Sequence, residues 1–274
     1  MRIRRLGWAG IEIEAAGGSA VVDLLEEVGP MARFIGEAHT ELPAPEARGR
    51  VDVALVTHLH FDHADPVAIA RALAADGVLL RPGPGEGDGL ETVALKPSED
   101  GIAENEIPTR VVEPWETVAI GPFELTAVPS ADGFGDPQVG WVIAGDGRRV
   151  VHYGDTLFHG WWWLARMRAG PFDAAFLPVN GPLVDLPHRQ PASPLPAAMD
   201  ARQAVAAAAL LEAEVAIPIH YDTLHRPPVY VQADDPAGAF AAAAGKAGVP
   251  AQVLEPGTWL DLGVAEPQPA APRS

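Results

Sequence analysis

Cysteine is absent from all 274 residues, so no disulfide framework, thiolate nucleophile or cysteine-ligated zinc is available, and any metal must sit on nitrogen and oxygen donors. Positive charge is scarce too. Lys96 and Lys246 are the only lysines, arginine supplies the other 17 of 19 cations, and 37 acidic residues bring the formal charge to −18, which repels nucleic acid and anionic lipid. No run reaches the ~18 apolar residues of a membrane helix. The basic start, Met1 to Arg5, leads into Glu12 and Glu14 rather than into the apolar stretch of a signal peptide. These absences predict a cytoplasmic protein that engages neither nucleic acid nor membrane.

With 48% hydrophobic and 20% charged residues the composition is that of an ordinary globular chain, and its length suits one domain spanning residues 1–274. Arg2 to Glu14 and Ala20 to Leu25, joined across Ala15 to Ser19, predict an opening hairpin. Val51 to Thr57 is an apolar run of strand length, and Asp65-Pro66 then starts a predicted helix, Val67 to Ala75. Gly and Pro crowd Arg81 to Gly89, so residues 81–114 are expected to form a surface excursion, and residues 266–274 a disordered tail.

Strand signals return at Val118 to Pro129 and Val139 to Ala144, with Gly145-Asp146-Gly147 turning the chain into Arg149 to Tyr153. Asp200 and Gln203 form a capping-box pattern for a helix from Ala201 to Ala213, Val215 to Ile219 is a short strand, and Asp235-Pro236 opens a last helix closed near Gly248. This order predicts a layered α/β (α+β) domain rather than a strictly alternating parallel fold.

The chemistry concentrates in Thr57 to Asp65, THLHFDHAD, which places His58, His60, Asp62 and His63 within six residues just past a buried strand. Packing alone gives no reason to bury three imidazoles and a carboxylate together, because each is penalised unless a cation compensates. If the backbone stays extended, His58 and His60 share one side and suit one metal. Asp62 and His63, past the turn, suit a second. Asp155 and His220 each end a predicted strand, where a carboxylate could bridge two cations with its two oxygens and the imidazole takes the same placement as His58.

The string His58-Leu59-His60-Phe61-Asp62-His63, followed in order by Tyr153-Gly154-Asp155-Thr156 and Ile217-Pro218-Ile219-His220, resembles the metallo-β-lactamase superfamily. The likeness is strongest to its cytoplasmic branch that includes the ascorbate-6-phosphate lactonases. The resemblance implies a four-layer αββα sandwich and a metal-dependent hydrolase. It further implies two divalent cations on His58, His60, Asp62, His63, Asp132, Asp155 and His220, which generate a hydroxide that attacks a small organic lactone, phosphodiester, ester or amide. Family members usually carry histidine where Asp132 stands. Aspartate is a harder donor, so zinc, manganese, iron and magnesium all stay open. Asp136 competes for that role, and capping a Gly-rich turn is the other role open to Asp132.

His159 and His225 follow Asp155 and His220 by a few residues and are candidates, with Asp62, for proton transfer or orientation at the rim. His188 in the Pro-rich loop, Phe134, and Trp161 of the Trp161-Trp162-Trp163 run are candidate substrate contacts, whereas His152 is expected to be structural. Consecutive helical residues lie about 100° apart, so at least one of the three indoles should be exposed. The expected partner is a small-molecule substrate, with self-association open. A metal-stabilised ligand-binding protein without activity, or an iron protein of the same fold, would share the same motif.

Overall fold

In the computed structural model, which describes residues 1–263, the opening run folds as three antiparallel strands: β1 (Arg2–Arg5), β2 (Ile11–Ala15) and β3 (Gly18–Val22). The apolar alternation of Arg2 to Glu14 predicts one strand, but it is broken at Leu6–Gly10. There Gly7 and Trp8 take φ of 82° and 45°, and Gly10 N donates to Gly7 O at 2.8 Å. Between β2 and β3, Ala16 and Gly17 both have positive φ, the backbone twist that a two-residue hairpin turn requires.

After a short helix, α1 (Ala32–Ile35), come β4 (Val51–Leu55), parallel to β3, and α2 (Pro66–Ala72). The side chain of Asp65 caps α2 by accepting from Val67 N and Ala68 N. The helix stops three residues short of Ala75 because β5 (Leu73–Arg81) begins at once. Pairing of Leu73 with Val51 and of Val78 with Val53, around a bulge, overrides the local helical preference. The predicted excursion at 81–114 also contributes more than surface. It holds α3 (Lys96–Glu104), whose Ser98 Oγ donates to Ala64 O at 2.9 Å, and β6 (Thr109–Val111), a parallel edge strand on β5.

The rest of the chain builds β7 (Thr117–Ile120), β8 (Phe123–Pro129), β9 (Val139–Gly145), β10 (Arg148–His152), α4 (Trp162–Ala169), β11 (Ala174–Pro178) and β12 (Leu183–Val184). It ends with α5 (Ala201–Leu211), β13 (Val215–Ile219), β14 (Tyr230–Val231), α6 (Pro236–Ala247) and β15 (Trp259–Asp261). Asp200 and Gln203 close the expected capping box, although α5 ends at Leu211 on a left-handed Glu212. The tail expected at 266–274 lies outside the described residues.

Two sheets result, ordered β15-β1-β2-β3-β4-β5-β6 and β13-β11-β10-β9-β8-β7, beside a small β12-β14 pair. Their facing sides form one core in which Ile11, Ile13 and Val53 of the first sheet meet Leu125, Trp141 and Phe176 of the second. Because side chains alternate along a strand, Ala175 and Leu177 point the opposite way and pack under α4, α5 and α6, while Val21 and Ala54 pack under α2. The architecture is the predicted αββα sandwich. Among the described residues no helix is long and apolar enough to cross a membrane.

Candidate metal centre

Strands that run the same way end at the same edge, and that edge collects the donors. β3 and β4 are parallel, as are β10, β11 and β13, and β8 runs with β10 because β9 is antiparallel to both. Asp23, His58, Asp132, Asp155, Asn180 and His220 each lie within three residues of one of these strand ends.

The chain bends at Thr57 and His58 instead of continuing as strand. The bend still brings His58 Nε2 to 2.9 Å from His60 Nδ1, with Asp132 Oδ1 3.9 Å from His60 Nδ1. Donors about 2.1 Å from a tetrahedral ion stand roughly 3.4 Å apart, and these separations straddle that spacing. Asp132 reconciles both roles open to it: Oδ2 caps the turn by accepting from Phe134 N and Asp136 N, and Oδ1 is buried without a partner, facing His60. Asp136 instead stands behind His60, its Oδ2 2.9 Å from Nε2.

The turn from His60 to Ala64, closed by His63 N and Ala64 N donating to His60 O, sends Asp62 and His63 toward His220. His63 Nε2 and His220 Nε2 are both buried with no hydrogen-bond partner. Their other nitrogens are committed: His63 Nδ1 donates to Asp23 Oδ2 at 2.8 Å, and His220 Nδ1 donates to Asn180 Oδ1 at 2.9 Å. Such bonds set the tautomer that leaves Nε2 as a free lone pair. Trp8 Nε1 donates to Asp62 Oδ2 at 3.1 Å, and the Trp8 ring packs 3.8 Å from that of His220, itself at φ 60°.

Asp155 lies between the two groups. Its Oδ1 is 3.7 Å from His58 Nδ1 and its Oδ2 is 4.0 Å from His63 Nε2, and Gln138 Nε2 donates to Oδ1 at 2.7 Å. Two donor sets therefore share one edge, His58, His60, Asp132 and Asp155 in one and Asp62, His63 and His220 in the other. Three ligand-type atoms, Asp132 Oδ1, His63 Nε2 and His220 Nε2, lie buried and unpaired among them, which fits divalent cations.

Electrostatics agree. Burial, then the facing His63, His60 and His220, hold His58 well below the ordinary imidazole range, and burial and His63 do the same to His220. Burial also opposes charge on His60 and His63, but Asp132 with Asp136 lifts the first to about 9, and Asp23 with Asp62 lifts the second to about 10. Burial raises the Asp155 carboxyl. These carboxylates want positive charge beside them, supplied by protons or by metal.

Comparison with known proteins settles the lineage. The family model for the beta-lactamase superfamily domain matches residues 21–221. The chain belongs to that superfamily. It is 30% identical over 220 residues to a UPF0173 metal-dependent hydrolase of Thermococcus kodakarensis, covering 77% of this chain and 82% of the relative. Among solved structures it is similar to Igni18, a metallo hydrolase of Ignicoccus hospitalis, with TM-score 0.66 at 19% identity over 94% of this chain and 97% of that one. It is also similar to CmlA, a diiron β-hydroxylase of Streptomyces venezuelae, with TM-score 0.67 at 19% identity over 95% of this chain and 54% of that one. The protein is accordingly a metal-dependent hydrolase of the metallo-β-lactamase family, with His/Asp clusters able to bind metal.

As in any hydrolase of this superfamily, the substrate must reach the donors through an opening. A cleft leads to His60, Asp62, Asp155 and His220, and Phe134 and His188 are among the residues that line it. Three other candidates stand elsewhere. His159 stacks on Trp162 at 3.9 Å and accepts from Trp161 N, so its ring belongs to the α4 layer. Trp161 is exposed beside it, while Trp162 takes the buried place of the three indoles. His225 sits under the 36–39 loop, its carbonyl oxygen accepting from His39 Nε2. Asp23, Asn180, Gln138 and Trp8 went unnoticed in the sequence. An aspartate interrupting the apolar run Val21-Val22-Asp23-Leu24-Leu25 was the readable signal for the first of them.

Proposed function

We propose that this chain hydrolyses a small organic ester, lactone, phosphodiester or amide at a pair of divalent cations. His58, His60 and Asp132 would hold one, Asp62, His63 and His220 the other, with Asp155 between them. The observation that carries the reading is three buried, unpaired donor atoms, Asp132 Oδ1 in one set and His63 Nε2 with His220 Nε2 in the other, beside a cleft that His60, Asp62, Asp155 and His220 line. Zinc or manganese suits this mixed donor set, and the hard oxygen of Asp132 also admits iron or magnesium. When bound, the cations supply Lewis acidity, lowering the pKa of water toward ~7 and polarising a substrate oxygen.

The chain's own groups do the rest. Asp62, steadied by Trp8, orients the attacking water. Tyr230 lines the cleft, and its hydroxyl accepts from Asn180 Nδ2 at 2.9 Å, which leaves its own proton free for a substrate oxygen. Burial keeps that phenol protonated at every physiological pH. With His159 and His225 turned away, His188 is the imidazole placed to serve the leaving group; burial and the neighbouring Arg189 lower its pKa.

The test is elemental analysis of protein purified without chelator, followed by turnover on lactone, ester and phosphodiester panels. Two metals per chain with turnover supports the reading. One metal or none, with no turnover after added zinc or manganese, assigns the chain to ligand binding, and the absorbance spectrum of aerobically purified protein separates out an iron protein.

A further inference from the structure

In a chain of formal charge −18, the cleft presents a single guanidinium and no ammonium group. Arg189, on the loop that follows β12, lies with its side chain 27% exposed at the boundary between the inner cleft and an outer vestibule that it also lines. Its two protein hydrogen bonds are long and use one nitrogen: Nη2 reaches Asp136 Oδ2 and Glu91 O, each at 3.4 Å. Nε and Nη1 have no hydrogen bond to protein among the described residues, although a guanidinium offers five donors in a fixed fork. The ring centroid of Phe134 lies 5.9 Å from the guanidinium carbon, within cation–π range. Asp136 is also the carboxylate behind His60, so one carboxylate and two contacts separate this fork from the first donor set.

We propose that Arg189 is a specificity residue that binds a carboxylate of the substrate, so that the molecule hydrolysed is a small monoanion carrying a carboxylate at one end and the scissile bond at the other. The proposal rests on the hydrolytic reading given above. A planar fork with free parallel donors matches a carboxylate two bonds at a time. The surroundings select its charge. Asp136 and Asp132 stand close by and no second cationic side chain lines the cleft among the described residues, so at this end, away from the donor sets, a phosphate dianion would meet repulsion that one guanidinium does not offset. Pro182, Val184 and Leu186 supply an apolar wall for the short carbon chain between the two ends.

The experiment compares p-nitrophenyl crotonate with mono-p-nitrophenyl fumarate, trans esters of equal chain length that differ by one terminal carboxylate held out of reach of its own ester, on zinc-loaded wild type, Arg189→Met and Arg189→Lys. Wild type should favour the fumarate ester in kcat/KM by about tenfold or more, the size of a charge-assisted hydrogen bond. R189M should collapse that ratio toward one, mostly through KM, with bound metal unchanged, and R189K should recover part of it. Titration with succinamate, its amide confirmed intact after each run, should show the same tenfold loss of affinity in R189M. Because any binding of that carboxylate to metal is common to both proteins, the difference reports Arg189 alone.

Equal preference in wild type, a ratio that survives in R189M, or equal succinamate affinity overturns the proposal. Loss of bound metal in R189M would also overturn it and make Arg189 a support for Asp136. A larger loss of propyl phosphate affinity than of succinamate affinity in R189M would assign the fork to phosphate instead. If wild type turns over neither ester, the hydrolytic reading fails, and the succinamate titration still decides what Arg189 binds.

Discussion

Asp23→Asn tests how the second donor set is prepared. Asp23 Oδ1 accepts from Thr57 N, and Oδ2 accepts from both Thr57 Oγ1 and His63 Nδ1, all at 2.8 Å and fully buried. An asparagine of the same shape keeps its carbonyl toward Thr57 N and turns an NH₂ toward His63. Two donors cannot face each other, so His63 shifts its proton to Nε2, the atom that would otherwise ligate. Outer-shell changes of this kind weaken metal binding about 10–100-fold, or ~1.4–2.7 kcal/mol. Weakened bonds to buried groups cost about 1–3 kcal/mol of folding stability as well, and each kcal/mol lowers Tm by roughly 2–4 °C for a chain this size. Competition against a chelating dye would read the affinities, with calorimetry of the metal-free protein as the folding control. If D23N retains two cations at wild-type affinity, His63 does not depend on Asp23 for its tautomer and the reasoning is wrong.

Metal uptake should release protons, because His60 and His63 titrate near 9 and 10 in the metal-free protein and must be neutral to ligate. Apparent affinity therefore rises with pH throughout the neutral range and levels off near 10. Calorimetry in buffers of different ionisation enthalpy would show this, and a pH-independent affinity would contradict it. The same raised values mean that the metal-free fold has this stabilisation in full below about 6.5 and loses it as pH climbs through 9 to 10, visible as a falling Tm. Trp162→Ala removes a fully buried indole stacked on His159 and should cost about 3–5 kcal/mol in urea unfolding, whereas Trp163→Ala, at a position 53% exposed, should stay within about 0.5 kcal/mol. Asp65→Ala strips the α2 cap and the bonds from Glu26 N and Glu27 N, so a loss of roughly 2 kcal/mol is expected, and a loss below 0.5 would remove Asp65 from that role.

Where local rules decide, the sequence was legible. The Asp200/Gln203 capping box, the Gly145–Gly147 turn and the Asp235-Pro236 helix start each depend on a few adjacent residues, and the structure forms all three elements. Where pairing partners decide, it was not. Leu73 to Gly77 carries alanines that favour helix yet joins β5, because β4 offers a ladder that no local signal shows. The strand β11 went unseen because Ala174-Ala175-Phe176-Leu177-Pro178 is too short and too uniformly apolar to display a period. His159 was misplaced for a related reason: four residues from Asp155 is near along the chain, but the start of α4 turns its ring onto Trp162.

The sequence alone determined the donor chemistry: without cysteine, a cation must be held by imidazole and carboxylate, and those groups crowd into Thr57 to Asp65. Tertiary structure decided which of them meet. A binding site is a set of distances across strands that lie far apart in the chain, so Asp23 behind His63, Asp132 with one oxygen for its turn and one for the site, and Arg189 over the cleft became visible only when parallel strand ends shared an edge.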